Sequence, residues 1–382
     1  MVFFTALLIS ANLIAEPAAW TLSADSWARP RDGQSVSQMT PLPEVIKHWS
    51  KDTTQRLVIH YPGGEDGQLW AHELSSWLVA LGVPQNRQEL VAGSQQADRI
   101  EIELSRETSV TTVACIQMAS GPNVGVNLFE AERLIGMAVE KGAKLVVLPE
   151  NFAIMGKDQS DKVVVREAPG AGQIQDFLAQ QASKHSIWLV GGTVPLVAHD
   201  DHKIRAACLL FDDQGRQVAR YDKIHLFDVS VVDSDESHTE SDTIEPGDQV
   251  VVVETPFGKL GLAVCYDLRF PELFRTMLDQ GMELLALPSA FTAITGKAHW
   301  EPLVRARAIE NLCYVFAAGQ GGYHVNGRAT YGHSMIVGPW GQVMNELANG
   351  SGLVCAEVDL DRLHNIRRTF PCLDHRNITC HV

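Results

Sequence analysis

An α/β class with a mixed sheet is predicted by three features of this chain. Short apolar runs of strand character recur along it, and amphipathic stretches of helical spacing lie between several of them. Some of the runs also follow one another through tight turns, so parallel and antiparallel pairings must share a sheet.

The chain opens on "MVFFTALLISANLIAEP", whose apolar segment ends at Glu16. That segment is too short to span a bilayer comfortably and resembles the apolar core of an export signal. No Lys or Arg precedes it, and Leu13 before Ala15 makes an imperfect cleavage site. Residues 1–20 are therefore read as a leader, with a cytoplasmic location expected and an exported or membrane-associated one as the alternative. Residues 17–54, rich in Pro, Ser, Asp and Trp, read as irregular. Within a small unit at 21–110, "RLVIHYP" has strand character and "DRIEIELS" alternates as a half-buried strand. Between them, "GQLWAHELSSWLVALG" places Leu69, Trp70, Leu74, Trp77, Leu78 and Leu81 on one helical face and stops at Gly82. The expectation is a β-α-β unit without a catalytic constellation.

A second rhythm begins near Thr112 and defines a domain at 111–382. "VTTVACIQMA" is an apolar strand, "NLFEAERLIGMAVEKG" a helix closing on Gly142, and "AKLVVLPE" a strand. The helix "GQIQDFLAQQASKHS" leads to the strands "IWLVGGTVPL" and "AACLLFD", a "DDQG" turn, and "RQVARYDKIHLF". Then come the strands "VVVVETP" and "LGLAVCYD", the helix "PELFRTMLDQG", the strand "ELLALPSAF", the helix "HWEPLVRARAIENL" and the strand "CYVFAAGQ".

Composition bounds what such a chain does. Its 382 residues can bury a substantial core, and 45% apolar with 20% charged content is ordinary for a globular enzyme. A formal charge of −15 argues against a sequence-independent grip on nucleic acid, which needs clustered cations. Seven cysteines, an odd number without regular spacing, do not form a disulfide framework and favour a reducing compartment.

Three residues stand at the carboxyl ends of apolar strands, where open α/β sheets build their sites: Glu150, Lys223 and Cys265. Taken singly, each has an ordinary explanation. A cysteine after "GLAV" is more often packing, a glutamate after Pro149 is a solvated turn or helix-cap residue, and a lysine is usually at the surface. Position changes the reading of Cys265, because Pro271 suits the first turn of the next helix and the chain must reverse close to the sulfur. Together the three supply a nucleophile, a base to ionise it, and a cation for the oxyanion formed when it attacks a carbonyl.

"VVLPENF", "YDKIHLFD" and "GLAVCYDLRFPEL" resemble, in order and spacing, the signature segments of the nitrilase or carbon–nitrogen hydrolase superfamily, and the likeness runs from about Val113 to the end. The resemblance implies a four-layer α-β-β-α sandwich, usually dimeric, with Glu150, Lys223 and Cys265 as a Glu-Lys-Cys triad. It implies that Glu240, in "ESDTIEPGD", helps to position Lys223 and the substrate or water. Catalysis would pass through a cysteine thioester, with the Tyr266 N–H assisting Lys223 at the oxyanion and with no metal or organic cofactor. "LPSAFTAITGKAHWEPLVRARAIENLCYVFAAGQGG", "RATYGHSMIVGPWG" and "RRTFPCLDHR" look like the branch that hydrolyses deaminated glutathione to 2-oxoglutarate and cysteinylglycine. The related omega-amidases, acting on 2-oxoglutaramate, are the alternative. Both substrates carry carboxylates, which makes Arg269 a candidate cation unless it pairs with Glu272 or Asp267. Thr292 and Thr295 are candidate pocket residues.

Other signals carry less. "HDDH" at 199–202 lies between strands and reads as a solvated hairpin loop. Cys372, His375, Cys380 and His381 mimic zinc spacing within one short terminal segment. "NIT" at Asn377 is a glycosylation acceptor only in a secretory pathway. His225, two residues from Lys223, would share its face on a strand, which keeps a Cys-His hydrolase open. The first hundred residues precede the point at which stand-alone superfamily members begin, and "WLVALGVPQNRQEL" with "DRIEIEL" is similar to small envelope-associated modules of bacteria. A non-catalytic scaffold with a binding N-terminal unit is the alternative from another class.

Overall fold

The computed structural model describes residues 19–27, 32–51, 53, 55–94, 98–105, 110–230 and 237–378. The chain divides into two compact units, Met1–Thr108 and Ser109–Val382. Most of the leader, and Cys380 and His381 of the zinc-like run, lie outside the described residues. Among the described residues no helix is long and apolar enough to cross a membrane.

The first unit holds a four-stranded sheet in the order Ala19–Ser23, Arg99–Ser105, Arg56–Tyr61, Gln88–Ala92. The helix Glu65–Ala80 connects Arg56–Tyr61 to its parallel neighbour Gln88–Ala92, so the β-α-β unit closes on "QELVA". Arg99–Ser105, expected as the closing strand, instead runs antiparallel to Arg56–Tyr61. Residues 17–54 are not irregular either. They contain the strand Ala19–Ser23 and the helices Ala24–Trp27, Gly33–Gln38 and Leu42–Trp49, each too short to show a period in sequence. Leu57, Ile59, Ile100 and Ile102 alternate inward against Leu74, Leu78, Val45 and Trp49. Of the expected helical face, Leu69 is 66% exposed, so the apolar stripe is narrower than its spacing suggested.

The second unit is the α-β-β-α sandwich. Its first sheet runs Gln217–Asp222, Ile204–Phe211, Trp188–Val190, Leu145–Val147, Thr111–Gln117, Gly352–Val358, with Val194–Val197 also on Ile204–Phe211. The second runs Val252–Thr255, Gly258–Leu262, Leu284–Ala286, Tyr314–Ala317, Ser334–Val337, Val343–Leu347. Strand alternation makes the layers. Ala114, Ile116, Val146, Leu189 and Leu209 face outward to the helices Val124–Glu140 and Gln173–His185, where they meet Leu128, Ala131, Leu134, Leu178 and Ala182. Their neighbours Val113, Cys115, Leu145, Val147, Val190, Cys208 and Leu210 belong to the core shared with the second sheet, which also takes in Phe274 and Trp300 of the helices Pro271–Asp279 and Ala293–Asn311. Fully burying one such side chain contributes about 1.5–3 kcal/mol. Parallel neighbours Thr111–Gln117, Leu145–Val147 and Trp188–Val190 in one sheet, and Gly258–Leu262, Leu284–Ala286 and Tyr314–Ala317 in the other, put their carboxyl ends where a site can form. "HDDH" is the hairpin loop between the antiparallel strands Val194–Val197 and Ile204–Phe211, as expected.

Candidate active site

Lys223 follows directly on the edge strand Gln217–Asp222, its N–H held by Ala206 O at 3.1 Å. The side chain turns into the protein and is fully buried, against the usual habit of lysine. Its ammonium donates to Glu150 Oε1 at 2.8 Å and to Glu240 Oε2 at 2.7 Å. Burial alone would pull this amine down, but the two carboxylates outweigh it and hold Lys223 well above the ordinary lysine range. Glu240, in the 3-10 turn Glu240–Asp242, also accepts the Phe227 N–H at 2.9 Å. Burial opposes its charge, but Lys223 and Lys162 keep it ionised, below the usual carboxylate range.

Glu150 stands three residues beyond Leu145–Val147. The chain makes room for this turn at Gly192, whose φ is +53° and where a Cβ would lie 2.1 Å from Pro149 O. Gly192 also splits the expected strand "IWLVGGTVPL" in two, Trp188–Val190 and Val194–Val197. Gln320, just past Tyr314–Ala317, donates to Glu150 O and to Ser120 Oγ, both at 2.9 Å, which fixes the backbone that carries the carboxylate. Glu150 Oε1 takes Lys223; Oε2 has no partner among the described residues and is free for a proton.

Cys265 comes after the strand Gly258–Leu262 and begins the 3-10 turn Cys265–Arg269, which leads to Pro271 at the start of the next helix. Its φ of +48° is a left-handed conformation that costs a residue with a Cβ about 1–2 kcal/mol. The Cys265 N–H is tied to Pro288 O at 2.9 Å, and the Ala290 N–H approaches the sulfur at 3.5 Å. Burial and Glu150 push the thiol well above its ordinary range, more than Lys223 pulls it down. The resting nucleophile is therefore a thiol, and its proton must be taken as it attacks. The Tyr266 N–H, in the first turn after the sulfur, has no acceptor among the described residues and can donate to a new oxyanion.

Below the elbow lies Asp267, whose side chain is wholly buried. It accepts the Val264 N–H at 2.8 Å, Tyr221 OH at 2.7 Å, the His225 N–H at 3.1 Å and His225 Nδ1–H at 2.7 Å. The strand before Lys223 ends at Asp222, so His225 is not on its face; the ring instead stacks on Phe270 at 3.7 Å between centroids. That commitment answers the Cys-His alternative. Asp267 is equally unavailable to Arg269.

A small cavity is lined by Cys265, Glu240, Tyr266, Thr292, Thr295 and Arg328 among others. Thr292 and Thr295 thus both line it, Thr292 also capping the helix Ala293–Asn311. Arg269 borders an adjoining groove with Tyr266, Thr295 and His299. It makes no ion pair with Glu272 or Asp267 and lies over the Tyr266 and Phe291 rings, 5.8 and 5.6 Å from their centroids. Arg328 and Gln320 escaped the sequence reading. Gln320 obeys the same strand-end rule that found the other three, whereas Arg328 sits in a turn that carries no such signal. Among the described residues no His, Cys, Asp and Glu cluster could hold a metal ion.

The pattern of the family described as carbon–nitrogen hydrolase matches residues 112–368. This chain belongs to the carbon–nitrogen hydrolase family. Among curated relatives of this hydrolase, a deaminated glutathione amidase of Synechocystis sp. is 44% identical over 266 residues, covering 69% of this chain and 97% of that one. A Homo sapiens protein of the same name is 41% identical, covering 71% and 84%. The crystal structure of the Caenorhabditis elegans NitFhit protein superposes with a TM-score of 0.67 at 37% identity, covering 72% of this chain and 68% of that one. The chain is thus an enzyme that hydrolyses a carbon–nitrogen bond, not a bare scaffold.

Proposed function

We propose that this hydrolase cleaves deaminated glutathione to 2-oxoglutarate and cysteinylglycine through a thioester on Cys265. One observation carries the reading: a buried ammonium, Lys223, is clamped between Glu150 and Glu240 next to a cavity that exposes Cys265. As the sulfur attacks the amide carbonyl, Glu150 takes the thiol proton, and the new oxyanion is received by Lys223 and the Tyr266 N–H. Glu150 returns that proton to the departing nitrogen as the carbon–nitrogen bond breaks. It next takes a proton from water, which adds to the thioester carbonyl; collapse releases the acid and restores the thiol. Glu240 positions Lys223 throughout.

The substrate assignment is supported by the names of the relatives and by Arg328 at the cavity and Arg269 in the adjoining groove, neither in an ion pair among the described residues, which suits an acid substrate. Turnover is tested with deaminated glutathione and, in parallel, with 2-oxoglutaramate, which alone releases ammonia. An acyl adduct on Cys265 in the mass spectrum is expected; absence of both turnover and adduct overturns the reading. We also infer a reducing, cytoplasmic setting, since seven cysteines without regular spacing do not suit a disulfide framework, and a homodimer. The division at 108 is taken to separate the hydrolase domain from a unit that could bring envelope association.

A further inference from the structure

Arg328 carries a charge that its surroundings leave uncompensated. It lies in the turn between the paired strands Gly321–Tyr323 and Ala329–Tyr331 and faces the same cavity as Cys265. The turn is held firmly. The Arg328 N–H donates to the Asn326 side chain at 3.0 Å, Asn326 donates to Gly156 O at 3.1 Å, and the Tyr331 N–H reaches Phe291 O at 3.0 Å. From the guanidinium, Nη2 donates to Ala290 O at 2.5 Å, while Nε is buried without an acceptor. No carboxylate pairs with it among the described residues. Ala290 therefore touches both partners, giving its N–H to the Cys265 sulfur and its carbonyl oxygen to Arg328. A guanidinium that faces a cavity with its Nε buried and unsatisfied is costly unless an anion visits it.

We propose that Arg328 binds a carboxylate carried by the leaving amine, so that the site is matched to amides with a carboxylate on each side of the scissile bond. The proposal rests on the amidase reading above. The side is assigned by dividing the two arginines between the two carboxylates: Arg328 faces the cavity that holds Cys265 and is joined to the sulfur through Ala290. Arg269 lies in the adjoining groove with Ile294 and His299 and is left to the acyl carboxylate. Cysteinylglycine leaves with a terminal carboxylate; ammonia, from 2-oxoglutaramate, has none. Arg328 thus separates the two amidase chemistries.

The test compares deaminated glutathione with the same compound bearing a terminal carboxamide, on the full chain. For the unaltered enzyme, KM for the carboxamide is expected to be on the order of thirty-fold higher with kcat little changed, because the contact is made equally in ground and transition states. Arg328→Gln should raise KM for the acid by a similar factor and erase the difference between the two compounds, and Arg328→Lys should restore part of it. Equal handling of acid and carboxamide by the unaltered enzyme overturns the proposal, and that comparison needs no variant to fold. So does an Arg328→Gln loss that falls equally on both compounds, the mark of a structural role. If the unaltered enzyme cleaves neither compound, the substrate reading itself has failed and this inference fails with it.

Discussion

Glu150 Oε1 and Lys223 Nζ lie 2.8 Å apart with both side chains out of solvent. Because Glu240 accepts a second N–H of the same ammonium, Lys223 stands between two carboxylates. Lys223→Met should therefore do two kinds of damage. Removing the oxyanion cation costs roughly a thousandfold in kcat, and leaving buried carboxylates unpaired costs about 3–5 kcal/mol of stability. Urea denaturation alongside turnover measures both. A variant that keeps its stability while losing activity would mean that Lys223 is not what holds the carboxylates together.

Glu150→Gln gives a prediction of opposite sign for reactivity and turnover. The Glu150 charge is one of the groups that raise the Cys265 thiol. With it gone, thiolate forms at lower pH, so the inflection of iodoacetamide alkylation at Cys265 moves down from its elevated position. Amide turnover nevertheless falls by about 10²–10⁴, since nothing carries the proton from sulfur to nitrogen. An inflection that stays put or rises would show that Glu150 does not act on the sulfur.

His225 supplies the contrast. Its ring is fastened to Asp267 and stacked on Phe270, so its removal loosens the floor of the elbow without touching the proton path. His225→Ala is expected to lower stability by about 1–2 kcal/mol and turnover by less than tenfold. Loss as complete as that of Lys223→Met would restore the Cys-His chemistry.

Much of this site could be read from sequence because strand ends are local: "LVVLPE", "RYDK" and "GLAVC" each announce their own termination. The unbroken apolar run from Val113 to Ile116 likewise fits a strand buried on both faces. Partners that arrive from elsewhere were not legible. Arg328 meets the cavity through a hairpin tied to Phe291 and Gly156, long-range contacts with no period to betray them. The same holds in the first unit. Gln88–Ala92 becomes a strand through its parallel pairing with Arg56–Tyr61, while Arg99–Ser105, alternating more clearly, was given its place. Short helices such as Gly33–Gln38 depend on a reciprocal cap between Asp32 and Ser35, at 2.7 and 2.8 Å, rather than on a periodic face.

The backbone at Cys265 allows a last prediction that needs no activity. A φ of +48° is strained for any residue with a Cβ and unstrained for glycine. Cys265→Ala and Cys265→Gly both lose the sulfur, and they differ by a single methyl group. Elsewhere glycine would be the less stable of the two by about 0.4–1 kcal/mol, because it adds freedom to the unfolded chain. Here relief of the left-handed strain, about 1–2 kcal/mol, should reverse that order. Cys265→Gly is therefore expected to match or exceed Cys265→Ala in denaturation midpoint. A clearly less stable glycine variant would mean that the turn holding the nucleophile is relaxed, and that the tie from the Cys265 N–H to Pro288 O is not keeping the sulfur in a costly conformation.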